Sequence, residues 1–394
     1  MARAAGLEAV SEPTGEGACA AWVAPSSGNT VWLSRPRLRY WSGKQVLKQL
    51  LVIAAPLLVA AVALSGCATS PSPKPPVREQ ALVLPQTPPG PLKAVELYIP
   101  RSSEEVLAQA ALELADAEAR KRIEQAMEAY EAIPVPLPEA ERSVVEKALE
   151  QRRAAAQRYN EEVARGRKAY ETFLGAYPQN WYARHRYAWF LTDEGLRFEA
   201  AEEWEKVIQL EPRFPYAYNN LGTLFNHMGR DAEAIQLYRK AIELKESDPD
   251  FHVNLAVNYS THRQEAMELY GWTLPETFWK CIAEYRRALE LSPQDVDIAR
   301  DLASQFIMAK YFSVAGTADE ALKAYDHYLS LNLEPIARMA ALRDVGRIYL
   351  KEKNDPRSAI AWFEKALAMG EDAGAQSLMK QAQEALAKQG QPVP

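Results

Sequence analysis

Cysteine is nearly missing from this chain. Its 394 residues hold three, at 19, 67 and 281, too few for a disulfide framework. Glycine is scarce as well, 18 residues or about 5% against a usual ~7%. That disfavours Gly-rich phosphate loops, β-barrels and collagen-like designs. There is no basic excess. Lys plus Arg number 46 against 52 Asp plus Glu, a formal charge of −6, which argues against a nucleic-acid partner. Motifs for chemistry are absent too. The histidines at 185, 227, 252, 262 and 327 make no close metal-ligand pair, and there is no H-E-x-x-H, Gly-Lys-Ser or Gly-x-Ser-x-Gly. What remains is a chain with 48% hydrophobic and 25% charged residues, rich in the helix formers Ala, Glu, Leu and Lys. Its length alone suggests two or three globular domains at ~150 residues each.

The longest apolar run, Leu50–Leu64, spans fifteen residues. A membrane-spanning helix needs about 20, whereas a signal-peptide core is this short. Lys44 and Lys48 supply the positive flank, with Arg35, Arg37 and Arg39 further upstream. Leu64-Ser65-Gly66-Cys67 closes the run and resembles the lipobox of bacterial lipoproteins. The resemblance implies cleavage before Cys67, a covalent lipid on its thiol, no other cofactor, and attachment to a membrane through that lipid. A structural Cys at the end of a buried helix is the alternative. Ala68 stands where an Asp would resemble an inner-membrane retention signal, so an outer-membrane anchor facing the periplasm is expected. Residues 44–66 are thus expected to be the signal and 1–43 a disordered or mis-assigned leader, because signals run 15–30 residues. A start at Val46 would give a signal of 21 residues. Residues 67–101 carry prolines at 71, 73, 75, 76, 85, 88, 89, 91 and 100. Such a segment favours an extended tether of ~3 Å per residue. Removing residues 1–66 takes away six basic and three acidic residues and moves the charge from −6 to −9.

The rest of the chain repeats itself. Trp181–Phe214 and Pro215–Asp248 are both 34 residues long. Gly195 aligns with Gly229, Ala200 with Ala234, Trp204 with Tyr238 and Val207 with Ala241. Tyr218, Leu221, Gly222, Phe225, Ala234, Tyr238 and Ala241 resemble the tetratricopeptide repeat, or TPR. Small residues stand where two helices cross closely, aromatics fill the wider gaps, and each pair leaves an apolar face for the next. Further copies carry Phe251–Tyr259 with a late helix at Phe278–Leu291, then Leu302, Ala303 and Phe306 with Ala321, Tyr325 and Tyr328, then Val345-Gly346 with Ala359, Phe363 and Ala366. Extra residues interrupt the third copy around Met267–Pro275 and the fourth near Phe312–Thr317. Gly166, Tyr170, Phe173 and Pro178 look like the second helix of a degenerate leading repeat, on a longer helix from near Glu139. The resemblance implies an all-α, TPR-type right-handed α-solenoid at 166–370, preceded by long helices in 102–165 and closed by a capping helix and tail at 371–394. That replaces the two or three globular domains suggested by length.

In this family ligands lie along the face formed by the first, or A, helix of each pair. The groove candidates carried over are Tyr182, His185, Trp189, Asn219, Asn220, Asn254, Asp301, Arg343 and Arg347. Arg186, Asn220, Asn254, Asp301 and Asp344 form one row. In some TPR proteins an asparagine ladder there bonds a peptide backbone, which an amide can match with both donor and acceptor. Asn is also common at that position regardless of ligand, so both readings stand. Arg343 and Arg347 could share an acidic group or simply face solvent. Cys281 takes a small-residue packing position and reads as a buried Ala substitute. The aromatic-rich Ala266–Leu274 insert either covers the groove or packs on the next repeat. The functional expectation is a membrane-anchored interaction scaffold or assembly factor, not an enzyme, whose partners are other envelope proteins or extended peptides. The alternatives are a structural envelope protein without a groove ligand, and an enzyme with its site in 101–165.

Overall fold

The structure is a computed structural model that describes residues 97–135 and 141–389. The leader, the signal with Cys67, and the tether up to residue 96 lie outside the described residues. The described residues form fourteen α-helices and one short 3-10 turn, with no strand among them. In chain order the helices are α1 (Ser103–Glu131), α2 (Arg142–Ala176), α3 (Trp181–Asp193), α4 (Arg197–Leu210), α5 (Pro215–His227), α6 (Asp231–Leu244) and α7 (Pro249–Thr261). They continue as α8 (Arg263–Tyr270), α9 (Leu274–Leu291), α10 (Val296–Met308), α11 (Ala318–Ser330), α12 (Pro335–Lys351), α13 (Pro356–Leu367) and α14 (Ala373–Lys388).

The helices pair as α1/α2, α3/α4, α5/α6, α7/α9, α10/α11 and α12/α13, and each pair also touches the next. This is an α-solenoid, in which one pair's open apolar face is closed by its neighbour. Local sequence sets the turns. Gly195 and Gly229 both take left-handed backbone, with φ of 77° and 73°, where a side chain would be strained. The 34-residue spacing therefore has a backbone cause as well as a packing one. Gly222 and Gly346 mark close crossings. A Cβ on Gly222 would lie 3.1 Å from the Tyr238 ring, and one on Gly346 only 2.5 Å from the Phe363 ring.

The N-terminal helices form a pair of their own. The helix B of the degenerate leading repeat lies in α2, a single helix from Arg142, and α1 packs along it in the place of helix A. A Cβ on Gly166 would lie 2.5 Å from the Phe190 ring and 3.3 Å from Ala119 Cβ, so α1, α2 and α3 meet there. Ser102 caps α1 by accepting from the Glu105 backbone N–H. Buried side chains run without a break from Leu112 to Ile348. A second cluster, from Leu350 to Leu386, lies beneath α14.

The insertion in the third repeat is a helix of its own. α8 packs on α6, α7 and α9. Trp272 meets Tyr259 edge-on at 5.3 Å and Tyr270 at 4.5 Å, and Arg239 lies over the Tyr270 ring at 4.8 Å. The aromatics thus anchor the insert on neighbouring helices. In the fourth repeat the extra residues follow the 3-10 turn Ala309–Phe312. Phe312 drops into the core against Phe278, with ring centres 5.5 Å apart.

Candidate functional site

The A helices are α1, α3, α5, α7, α10 and α12. Polar side chains join neighbours among them. Between α1 and α3, the buried Asp116 binds Arg186 at 3.1 Å and Arg120 at 3.0 Å, and Arg120 reaches Asp193 at 2.5 Å. Between α5 and α7, Asn254 Nδ2 donates to Asn219 Oδ1 at 2.9 Å. Asn219 Nδ2 in turn donates to Asn220 Oδ1 at 3.3 Å. Deeper along the same helices, Asn226 Nδ2 donates to Asn258 Oδ1 at 2.9 Å. Between α7 and α10, Ser260 donates to Gln305 at 2.9 Å.

Each member of the row read from the sequence is therefore engaged within the chain. Asn219 and Asn254 are fully buried, and Asn220 is nearly so. Asp301 pairs with Arg300 at 2.9 Å. Asp344 accepts from the Tyr325 hydroxyl at 3.2 Å and pairs with Arg347 at 2.9 Å. Arg343 binds Asp372, the N-cap of α14, at 2.8 Å. Arg343 Nε also lies 3.8 Å from Asp344 Oδ1, the oxygen that Arg347 holds, so the two arginines share that carboxylate within the chain. An amide that already bonds inside the protein must exchange that bond to meet a ligand, which weakens it as a recognition group.

The remaining candidates lie on α3. Tyr182 and Trp189 are half-buried. Trp189 meets Trp204 edge-on at 6.0 Å. His185 sits between Trp204 and Phe214, 4.9 and 5.0 Å from their ring centres. Burial, helped by the Arg186 charge, lowers its pKa to about 3, so the ring is neutral. Its Nδ1 is buried without a hydrogen-bond partner among the described residues. Tyr182 and Arg186, with Gln109, Glu113 and Tyr170, line a shallow, solvent-open hollow between α1 and α3 with a cavity volume of only about 10 Å³. That falls below the ~300–1,000 Å³ of small-molecule sites.

Cys281 is fully buried, and burial pushes its thiol pKa far above the usual range. An un-ionised thiol is a poor nucleophile. One constellation was hidden from sequence reasoning. Asp231, His262 and Glu265 each bring one ligand atom to a common point, all within 4.8 Å of one another. Only His262 and Glu265 are close in sequence, three residues apart. Asp231 belongs to the preceding repeat, so the stack is what assembles the group.

Comparison with known proteins agrees with the repeat reading. The family model for the tetratricopeptide repeat matches residues 215–248, which are α5, α6 and their turns. A curated relative, the Photosystem I assembly protein Ycf3 of Cyanophora paradoxa, is 25% identical over 118 residues, covering 29% of this chain and 68% of that protein. Among solved structures, YrrB, described as a TPR protein with an unusual peptide-binding site, is 17% identical. That match covers 55% of this chain and 99% of YrrB, with a TM-score of 0.43. The C-terminal part of a TPR repeat-containing protein from Cytophaga hutchinsonii is 16% identical, covering 70% of this chain and 99% of that one, with a TM-score of 0.47.

Proposed function

We propose that this chain is a lipid-anchored scaffold of the bacterial cell envelope, and that its A-helix face takes a segment of a protein partner. One observation carries the reading. A TPR stack keeps the aromatics Tyr182 and Trp189 half-buried on an A helix, beside the charged Arg186–Asp116 pair. Trp, Tyr and Arg are the residue types enriched among the hot spots of protein interfaces. The small volume of the adjoining hollow favours a macromolecular ligand over a metabolite, and the buried, un-ionised Cys281 supports a non-catalytic role. The relative named as an assembly protein fits a scaffold. The face recognises its partner through α3, not through an asparagine ladder, because Asn219 and Asn254 are spent on each other. The anchor is supported by the sequence alone, through Lys44, Lys48, the Leu50–Leu64 run and the Leu64–Cys67 lipobox.

A photo-crosslinking residue in place of Trp189 is expected to capture an envelope protein that the same residue at Gln236, exposed on α6, does not. A Tyr182→Ala variant that carries the same crosslinker should weaken that capture at least about tenfold, as loss of an interface hot spot does. Equal capture from both faces, or capture unchanged by the variant, rejects the A-helix face and favours a purely structural envelope protein. Labelled palmitate should enter the wild-type protein in bacteria and not a Cys67→Ser variant. Equal labelling of the two removes the anchor.

A further inference from the structure

The stack brings the start of α6 against the junction of α7 and α8. Asp231 is the first residue of α6. His262 ends α7 and begins α8, and Glu265 lies in the first turn of α8. His262 Nδ1 stands 3.0 Å from Asp231 Oδ2. The other oxygen of Asp231 accepts from Asn226 Nδ2 at 3.2 Å. Asn226 is itself tied to Asn258, so the first carboxylate is held in orientation. The Glu265 carboxylate has no hydrogen bond or ion pair among the described residues. It nonetheless comes within 4.8 Å of the other two ligand atoms. Two carboxylates and one imidazole thus converge, partly exposed, with one carboxylate left uncompensated.

We propose that Asp231, His262 and Glu265 form a binding site for a borderline divalent cation of the Zn²⁺ type. The donor set selects the class. An imidazole with two carboxylates suits Zn²⁺, Co²⁺ or Ni²⁺, whereas Ca²⁺ and Mg²⁺ take oxygen donors. Zn–N and Zn–O bonds of about 2.0–2.2 Å place the donors of a tetrahedral site somewhat over 3 Å apart. The His262–Asp231 contact is already at that scale, and a rotamer change of Glu265 closes the third edge. Solvent supplies the fourth ligand. The dication offsets the two facing carboxylates, and the Asn226 amide serves as the outer partner that fixes Asp231. The site joins the turn before α6 to the inserted helix α8. Metal would therefore clip the insertion across the junction of the second and third repeats, with no step of chemistry required.

The test uses the full chain without a histidine tag, titrated with Co²⁺ and Zn²⁺ and followed by calorimetry, visible absorption and melting. One equivalent is expected to bind, with d–d bands from Co²⁺ that Zn²⁺ removes. The melting temperature should rise by roughly 5 °C at a hundredfold excess over Kd. Glu265→Gln breaks no hydrogen bond or ion pair among the described residues, so the variant should fold without metal and bind it at least tenfold more weakly. His262→Gln should abolish the Co²⁺ bands. No saturable binding at about 1 mM metal, or binding in both variants as strong as in the wild type, overturns the site.

Discussion

At the scale of single residues, two kinds of buried group make testable statements. His252 is almost fully buried, with Nδ1 2.6 Å from Glu284 Oε2 and Nε2 2.8 Å from the Glu246 carbonyl. Burial is the largest influence and pulls its pKa down, but the Glu284 and Glu246 acceptors together outweigh it, and the net pKa is raised. A raised folded pKa means that this stabilisation is complete below the unfolded value of about 6.5. It is lost as pH rises through the folded value. Urea unfolding at pH 5.5 and pH 8.5 should therefore show the wild type losing more stability towards alkaline pH than a His252→Gln variant. Parallel losses would refute the assignment. The second statement concerns glycine. Gly346→Ala forces a methyl into the ring of the fully buried Phe363. It should cost about 1–3 kcal/mol by overpacking, despite a helix-propensity gain of up to ~1 kcal/mol. Gly222→Ala meets Tyr238 at 3.1 Å and should cost less. Gly175, on α2 with nothing within 4 Å, should accept Ala with no loss. Chemical denaturation of the three variants tests that order.

At the scale of elements, what the sequence revealed and what it hid have physical causes. The 34-residue period was legible because close crossings restrict residue size at fixed offsets, and because Gly195 and Gly229 must turn with positive φ. The helix α1 is legible as one of the long helices expected in 102–165, but its pairing with α2 and α3 is not. Its contacts are Ala119 at Gly166 and the Asp116 charge at Arg186, neither of which fits the motif, and Arg186 lies 70 residues from its partner. The position of the insert was also hidden, since Trp272 finds Tyr259 and Tyr270 only after folding. The boundary after the insert could have been read. Thr273 and Glu276 form a capping box at the start of α9, with both reciprocal bonds present. The last element, α14, closes the stack by burying Ala375, Ala382 and Leu386 completely. Leu386→Ala should cost about 2–5 kcal/mol if α14 is integral to the fold. A loss under about 0.5 kcal/mol, the scale of a surface substitution, would show that α14 is detached in solution.

At the scale of the whole molecule, stability in a repeat stack is set by each pair and by the junctions between neighbours. These junctions are not alike. The α3–α5 junction is aromatic, with His185 and Trp181 both against Phe214. The α5–α7 junction carries an amide seam of Asn219, Asn254, Asn226 and Asn258. This difference decides what the asparagine row does. If the row exists for a partner, Asn254→Ala should impair binding and leave folding nearly intact. If it exists for the junction, the same change strands the buried Asn219 oxygen and should cost about 1–3 kcal/mol. The geometry supports the second outcome, because Asn219 is fully buried and its oxygen faces Asn254. A double-mutant cycle makes the distinction quantitative. Asn219→Leu and Asn254→Leu should each destabilise the chain by removing the buried bond between the two amides. The double variant should lose less than the sum, with a coupling of about 1 kcal/mol or more. Additive losses would mean that the two amides do not act on each other, and the row would return to being a candidate for a partner's backbone. Photo-crosslinking from Trp189 in the same variants separates the two roles once more. A seam mutation that loosens the junction should leave α3 capture in place at temperatures where the array remains folded.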